Sequence, residues 1–169
     1  YNPFLSNHFL YKENINAAYT SFHHQFGNFG IEAGLRLEDS HIRTTLMDAA
    51  DEGHKQDYLR VYPSVFLSDK LSENQTLQLS YTRRVQRPRD RQLSPFLDQS
   101  DKLNYQQGNP DLRPEDTHSF ELSYINYWKS LTLTSSLYYR RTNGVIQRIT
   151  TPLTPTNLDT TLTTFENIK

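Results

Sequence analysis

The residues with the most obvious capacity for chemistry form a basic run near the middle of the chain, comprising Arg83, Arg84, Arg87, Arg89 and Arg91. Guanidinium groups at this density could bind nucleic acid through its phosphates. Three nearby aspartates dilute the positive charge, and a strand would place only alternate residues on one face. We therefore expect these arginines to form salt bridges along one face of a strand and at the base of the following loop, in preference to binding nucleic acid.

Two adjacent histidines, His23 and His24, are the candidates for a metal site. Adjacent residues of a strand point to opposite faces, so this pair cannot chelate one ion together. No second ligand stands at a suitable spacing, and we expect neither a metal nor a cofactor. The chain also contains no nucleophile elbow, Gly-rich phosphate loop or HExxH sequence, so an enzymatic function has little support.

The elements that must position these side chains are strands. In residues 29–38 the odd positions are apolar and the even ones are polar or glycine, which gives one apolar and one polar face. Five more segments alternate, namely residues 14–26, 58–68, 76–86, 117–127 and 131–141, and a seventh strand begins near Thr161. In residues 14–26 the two faces are hard to tell apart, because apolar residues fall on both of them. Their lengths approach the ~9–11 residues of a tilted membrane strand and exceed the ~5–6 typical of soluble strands.

The polar faces of these strands carry charged residues that we expect to line a wet lumen, namely Glu32, Arg36, Glu38, Arg60, Arg84, Glu121 and Arg140. Cross-strand pairs of opposite charge would each stabilise the sheet by a few tenths to ~1 kcal/mol. Pro63 interrupts the third strand because it cannot donate to a ladder, so we expect a bulge there or a break in one bond pair.

The composition favours thin sheets over a helical bundle. Only 35% of the 169 residues are hydrophobic, although 11 are Tyr and 9 are Phe, and the mean hydropathy is -0.77. No run approaches the ~18 apolar residues of a spanning helix, so a role in a membrane would require strands. The net charge of -1 provides no basic field for nucleic acid.

The connections between the strands alternate strictly between short and long. The short ones are Gly27-Asn28, residues 69–75 and residues 126–130, and the long polar ones are residues 39–57, 87–116 and 142–160. In an up-and-down meander every other connection lies at the same end, so all short turns fall at one end and all long loops at the other. This asymmetry is typical of outer-membrane barrels. The predicted fold is an all-β antiparallel meander, a partial segment of a large transmembrane barrel.

Four stretches of the chain resemble a known family. They are residues 108–124 (GNPDLRPEDTHSFELSY), 81–96 (YTRRVQRPRDRQLSPF), 13–19 (ENINAAY) and 29–38. Together they are similar to the barrel of TonB-dependent outer-membrane receptors, in the Bacteroidetes-type branch described as the outer membrane protein beta-barrel family. The residues of the shared motif are Gly108, Asn109, Pro110, Leu112, Pro114 and Glu115.

The motif has its own physical interpretation. Gly108 permits an unusual backbone angle. Asn109-Pro110 starts a turn, and Pro114 fixes a second bend before the strand. Glu115 would then sit at the mouth of the strand. We expect these residues to have a structural role and not to bind a ligand.

The resemblance implies a complete receptor of about twenty-two strands in the bacterial outer membrane, with a plug domain and a TonB-binding segment. It implies contact with outer-membrane lipid, no nucleic-acid partner, and import of a scarce small-molecule or glycan ligand, such as an iron chelate, cobalamin or a glycan. Residues 1–169 would be one piece of that barrel, truncated at both ends and without the plug. The candidates for ligand contact in the loops are Arg87, Arg89, Arg91, Asp98 and Tyr105.

The main alternative is a soluble β-sandwich or barrel that acts as a surface glycan-binding module. Phe96, Tyr105 and Tyr1 would then stack on sugar rings. The two interpretations differ in what covers the apolar face, since a sandwich would seal Leu35 and Leu122 in its interior. A third possibility is rearrangement, because the open edges of an isolated piece invite pairing with another copy.

Overall fold

The computed structural model describes residues 7–47, 53–154 and 157–168. The chain is almost entirely β, with strands β1 (Phe9–Phe26), β2 (Phe29–Leu46), β3 (His54–Ser72), β4 (Gln75–Gln86), β5 (Leu97–Asp98), β6 (Asn104–Gln107), β7 (Glu115–Tyr127), β8 (Thr132–Asn143), β9 (Val145–Thr154) and β10 (Asn157–Ile168), and with one short helix, α1 (Asp90–Leu93). Among the described residues, no helix has the length and apolar character needed to cross a membrane.

Six strands form the main sheet in the order β1-β2-β3-β4-β7-β8. Every neighbouring pair is antiparallel, which confirms the predicted meander. The turns at Gly27-Asn28, Glu73-Asn74 and residues 128–131 all lie at one end of the sheet. Gly27 has a φ of 59°, a left-handed conformation that a tight hairpin requires and that glycine adopts without steric cost.

Two connections predicted as loops are largely strand, so those predictions were wrong. Within residues 39–57, β2 continues to Leu46 and β3 begins at His54. Within residues 142–160, β9 and β10 form an antiparallel hairpin. Polar side chains on both faces removed the apolar alternation that marks a strand, but the backbone ladder continues because it does not depend on side-chain polarity.

A smaller sheet stands at the end opposite the short turns, with the order β5-β6-β10-β9. β6 pairs in parallel with β10, and β5 pairs with β6 in the antiparallel sense. Residues 87–114, which contain α1, β5 and β6, therefore form a folded insertion packed beside the β9-β10 hairpin. Its small core includes Leu93 and Leu112, which are 2% and 1% exposed.

The apolar face of the main sheet has no protein cover. Leu35, Leu122 and Leu137 on this face are 47%, 42% and 73% exposed. The soluble β-sandwich alternative is therefore wrong, since a sandwich would bury these side chains between two sheets. Of the aromatic residues proposed for sugar stacking, Tyr1 lies outside the described residues.

Pro63 ends the pairing between β3 and β4. The ladder runs up to Ser64↔Thr82 and stops one residue before the proline, whereas β2 and β3 stay in register through Leu35↔Pro63. The Lys70 amide donates to Asn28 O at 3.0 Å. The backbone N–H and C=O groups of even-numbered residues in β3 therefore bond to β2, and those of odd-numbered residues point towards β4. Pro63 therefore lacks its N–H on the β4 side, and the expected break in the ladder is confirmed.

Candidate functional site

The register places all seven predicted lumen residues on one face of the main sheet. On that face Glu38 lies opposite Arg60, and Ser80 lies opposite Glu121. A shallow cavity of about 420 Å³ is lined by His23, Glu32 and Glu121 together with serine and glutamine side chains. The inner face is therefore polar, charged and open.

The two adjacent histidines point in opposite directions. His23 lies opposite Glu32 on the inner face. The His24 ring lies on the outer face, with its centroid 4.2 Å from that of Phe26 and 6.2 Å from that of Phe22. Across the residues that the structure describes, no group of three His, Asp or Glu side chains has the geometry of a metal site.

Arg87, a predicted ligand contact, is bound to carboxylates of the sheet. Its Nη2 donates to Glu38 Oε2 at 2.5 Å, and its Nε lies 3.3 Å from Glu13 Oε1. The same Nε donates to the Tyr58 hydroxyl at 3.2 Å. Glu38 is only 5% exposed and also accepts from Arg36 Nε at 2.6 Å. These contacts fasten the start of the insertion to β1, β2 and β3.

Gly108 allows the insertion to pack closely on itself. Its amide donates to Ser94 O at 2.8 Å. A Cβ at this position would lie 2.5 Å from Ser94 O and 2.6 Å from Gln92 O, which is closer than van der Waals contact allows. The φ of Gly108 is not positive, so the expectation of an unusual backbone angle was wrong. Close approach of two backbone segments is the reason for glycine here.

The other residues of the motif contact three strands, β3, β9 and β10. Gln56 of β3 donates to Pro110 O at 2.6 Å and to Leu112 O at 3.0 Å. Asn109 Nδ2 donates to the Phe165 carbonyl of β10 at 3.0 Å. Glu115 Oε1 accepts the Ile146 amide of β9 at 2.8 Å. The contacts of the motif are structural, and Pro114 is buried beside them.

The side chain of Asn167 forms a hydrogen-bonded clamp between three parts of the chain, and the sequence analysis did not predict it. Its Oδ1 accepts the Arg113 amide at 2.8 Å. Its Nδ2 donates to Arg113 O at 2.9 Å and to Gly144 O at 2.7 Å. One amide side chain thus joins β10 to the insertion and to the junction of β8 and β9. No local pattern marks this asparagine, because its partners are 54 and 23 residues away along the chain.

Three predicted ligand contacts, Arg89, Arg91 and Asp98, line one cavity of about 720 Å³ between the insertion and the β9-β10 hairpin. Phe96 and Phe165 contribute aromatic surface to it. Both arginines are exposed, and neither forms an ion pair within the described part of the chain. Hydrogen bonds from Ser100, and after them the positive charge of Arg91, hold the pKa of Asp98 below its usual range.

Tyr105, the remaining predicted contact, lies away from this cavity. It belongs to β6, opposite Leu162 of β10, and is half-buried there. The structure thus separates the five predicted loop contacts into an anchored arginine, a tyrosine in the small sheet, and three residues around one cavity.

The sequence and the fold were compared with known proteins. The profile described as the outer membrane protein beta-barrel family matches residues 1–169. No curated protein sequence matches significantly. The structure resembles the hemophore receptor HasR of Serratia marcescens, with a TM-score of 0.75 at 12% identity, covering 92% of this chain and 29% of the receptor.

Two further receptors share the fold. The siderophore receptor PirA of Pseudomonas aeruginosa gives a TM-score of 0.62 at 13% identity, over 96% of this chain and 38% of the receptor. The alcaligin receptor FauA of Bordetella pertussis gives 0.57 at 16% identity, over 93% and 25%. The chain therefore spans 25–38% of the length of these receptors, and its sheet has the fold of a part of TonB-dependent receptor barrels.

Proposed function

The chain belongs to the outer membrane protein beta-barrel family, and we propose that it forms part of the barrel wall of a TonB-dependent receptor that imports a scarce ligand. This family consists of non-enzymatic outer-membrane proteins. The exposed apolar face, with Leu35 and Leu137 at 47% and 73% exposure, suits contact with lipid. The polar inner face suits a hydrated lumen.

The proposed ligand class rests on the cavity lined by Arg89, Arg91 and Asp98. Its volume of about 720 Å³ is within the range of small-molecule sites. Asp90, Asp98 and Glu115 also line the cavity, but each accepts a hydrogen bond from a backbone amide of this chain. The guanidinium groups of Arg89 and Arg91 form no ion pair among the described residues and can bind a carboxylate, catecholate or phosphate. Phe96 and Phe165 offer faces for planar groups. We therefore propose an anionic iron chelate as the ligand class.

Cobalamin and a glycan are the other ligand classes that the resemblance implied. A neutral glycan would use aromatic stacking and amide hydrogen bonds and would gain little from two free arginines. The similarity to receptors named for a siderophore and a hemophore also favours an iron source over a glycan.

The inner face supports a further part of the proposal. Glu32, Arg84 and Arg140 are exposed there, and none of them forms an ion pair within the described ranges. A plug domain seated in the lumen would supply partners of opposite charge. In the complete receptor we expect that plug, the remaining strands, and TonB acting through a segment outside this chain.

The experiment uses the full-length receptor in the bacterium that produces it. Arg89→Ala together with Arg91→Ala should weaken binding of ferric chelates at least tenfold, since hydrogen bonds to charged groups are worth about 1.5–3 kcal/mol each. Lys70→Ala together with Lys129→Ala, at exposed positions near the short turns at the other end of the sheet, is the matched control. Uptake of a panel of ferric chelates, cobalamin and oligosaccharides is measured at equal receptor levels. Chelate uptake that is unchanged in the double variant would refute the anionic ligand.

A further inference from the structure

The main sheet is divided along part of its length. The ladder between β3 and β4 ends at Ser64↔Thr82, although both strands continue beyond this pair, β3 beside β2 and β4 beside β7. We call the gap between residues 54–63 of β3 and residues 83–86 of β4 the seam. The parts of β1, β2 and β3 on one side of the seam form an outer flap, and β4, β7 and β8 stand on the other side.

Side chains bridge the seam where the ladder is missing. Arg60 of the flap forms an ion pair with Asp116 of β7. Arg83 of β4 donates from Nη1 to the Val61 carbonyl of the flap at 3.2 Å. Strands that are joined through long side chains separate and approach more readily than strands that are joined by backbone hydrogen bonds. The flap is therefore the least restrained part of the main sheet.

Buried polar atoms without a hydrogen bond are concentrated around the seam. Within the described ranges there are four of them, and all lie in the flap or beside the seam, namely His54 Nδ1, Tyr62 OH, Arg83 Nε and Asp116 Oδ1. Asp116 Oδ1 lies 3.2 Å from Arg83 Nη2 as an ion pair, but without the geometry of a hydrogen bond. Buried polar groups in folded proteins nearly always have a partner. Their concentration here indicates that this part of the sheet has a second arrangement, in which these groups are paired or hydrated.

The insertion of residues 87–114 spans the seam. It is held to the flap by Arg87 Nη2, which donates to Glu38 Oε2 at 2.5 Å, and by Gln56, which donates to two carbonyls of the insertion. On the other side the Asn109 side chain donates to Phe165 O at 3.0 Å, and β6 pairs with β10. The cavity of about 720 Å³ lies between the insertion and the β9-β10 hairpin. A movement of the flap therefore carries the insertion with it and changes the width of this cavity.

The seam begins beyond a row of aromatic side chains. The ring centroids of Tyr81 and Phe120 are 4.8 Å apart, and those of Phe120 and Tyr139 are 6.3 Å apart. Aromatic residues in such a row mark the membrane interface of a barrel. Arg83 lies two residues farther from the short turns than Tyr81. Open strand edges are not tolerated within hydrocarbon, and beyond the interface water can hydrate the backbone groups that a moving flap exposes.

We propose that the seam is a joint at which the outer flap moves relative to β4, β7 and β8, and that the insertion transmits this movement to the cavity. The side chains that bridge the seam hold the joint in the arrangement that the structure shows. In the second arrangement the ladder extends in its existing register, which places Val61 opposite Val85. The missing N–H of Pro63 keeps this extension weak, so both arrangements are accessible.

The test uses the purified full-length receptor in lipid nanodiscs, with Val61→Cys and Val85→Cys supplying its only cysteines. Residues 1–169 contain no cysteine that would compete. The matched control is Leu67→Cys with Leu79→Cys, a directly opposed pair within the ladder. A disulfide requires Cα atoms separated by about 4.4–6.8 Å, so the Val61–Val85 pair reports the extended ladder. The rate of disulfide formation is measured under a mild oxidant, and single-cysteine variants reveal any disulfide between receptors.

We expect the Val61–Val85 pair to form its disulfide at least about tenfold more slowly than the control pair, as for a minor arrangement, but to completion. Asp116→Asn removes the carboxylate that the bridging arginines share, and it should accelerate the reaction about fivefold or more. Arg87→Gln, which releases the flap from the insertion, should act in the same direction. Lys70→Gln, at an exposed position near the short turns, should leave the rate unchanged.

Three outcomes would overturn the joint. Formation as fast as in the control pair would show that the strands are already paired, and no formation at all would show that they are rigidly apart. Equal rates with and without the bridging side chains would show that these side chains do not hold the joint. Thermal melting confirms that each variant is folded, and Arg83→Gln provides the same test in place of Asp116→Asn if that variant does not fold.

A second measurement tests the transmission to the cavity. With the Val61–Val85 disulfide formed, hydrogen exchange in residues 87–114 should differ about fivefold or more from that in the reduced receptor, because the flap carries the insertion with it. The Leu67–Leu79 disulfide should leave exchange there unchanged. Equal exchange in the oxidised and reduced forms would show that the insertion does not follow the flap. No measurement uses a ligand, so these outcomes are independent of the proposed import function.

Discussion

Arg60 of β3 and Asp116 of β7 form an ion pair, although the register of the sheet assigns them to opposite faces. Arg60 lies opposite Glu38 on the inner face, and Asp116 lies opposite Val85 on the outer one. They can meet because the β3-β4 ladder ends beside Pro63, which leaves a gap between the strands. Arg83 also enters this gap and donates to Val61 O at 3.2 Å. Charged side chains thus bridge β3 and its neighbours where the backbone hydrogen bonds between β3 and β4 end.

Asp116→Asn should lower the free energy of unfolding by about 2 kcal/mol, because it leaves Arg60 and Arg83 without their shared carboxylate. The expected loss is smaller than for a fully buried pair, since both side chains of the Arg60–Asp116 pair are 18% exposed. Denaturant unfolding of the full-length receptor in lipid measures it. Lys55→Gln, which breaks a pair with 57% and 37% exposed side chains, should cost less than about 1 kcal/mol. Equal losses would contradict this assignment.

Gly108→Ala should loosen the insertion formed by residues 87–114. The new methyl group would meet backbone atoms of Ser94 and Gln92 at 2.5–2.8 Å, and backbone cannot rotate away. We expect a loss of about 1–3 kcal/mol, typical of overpacking, and faster proteolytic cleavage within the insertion. Gly34→Ala is the control, because its methyl group would meet the Ser64 hydroxyl, which can change rotamer. Cleavage at the same rate in both variants would argue against close packing at Gly108.

Asn167→Asp should release the insertion from β10. The substitution keeps the acceptor for the Arg113 amide but replaces both donor contacts, to Arg113 O and Gly144 O, with repulsion between oxygen atoms. Hydrogen exchange should accelerate about tenfold or more at Leu112 and Arg113, as expected for loss of the two hydrogen bonds that Asn167 Nδ2 donates, one exposed and one partly buried. Asn74→Asp, in an exposed turn at the other end of the sheet, should leave these amides unchanged. Unchanged exchange in Asn167→Asp would show that the clamp is dispensable.

His41 should make stability depend on pH. Hydrogen bonds to Asp57 and then to Asp39 raise the pKa of His41, at 2.9 and 3.0 Å. A raised pKa in the folded state means that the protonated imidazole stabilises the fold fully below its ordinary pKa of about 6.5, and that this contribution disappears as pH rises through the folded value.

The measurement compares the melting temperatures of the wild-type receptor and His41→Gln between pH 5 and pH 9. The wild type should melt higher at the acidic end, and the two curves should converge at the alkaline end. His8→Gln, at an exposed position just before β1 begins, serves as the control and should show no such convergence. A difference that grows as pH rises would contradict the proposed hydrogen bonds of His41.

The sequence by itself determined the faces of the strands after the first and the end of the sheet at which the tight turns lie, whereas the faces of β1 were decided only by its pairing with β2. Side chains alternate with a period of two, so the positions of Glu32 and Arg140 on the inner face followed from local spacing alone. The break beside Pro63 was equally predictable, because a missing N–H is a property of one residue. The family resemblance added the barrel context that alternation could not supply.

The tertiary structure decided what depends on contacts between distant residues. Arg87 looked free for a ligand, but Glu38 binds it from 49 residues away. Asn167 carried no local signal, because its backbone partners in Arg113 lie 54 residues away. β2 and β3 continue beyond Leu37 and Leu59, where the apolar alternation ends, because their backbones still pair as far as Thr44↔His54. Local spacing fixes the direction of a side chain, whereas only the folded chain determines which groups lie close enough to bind it.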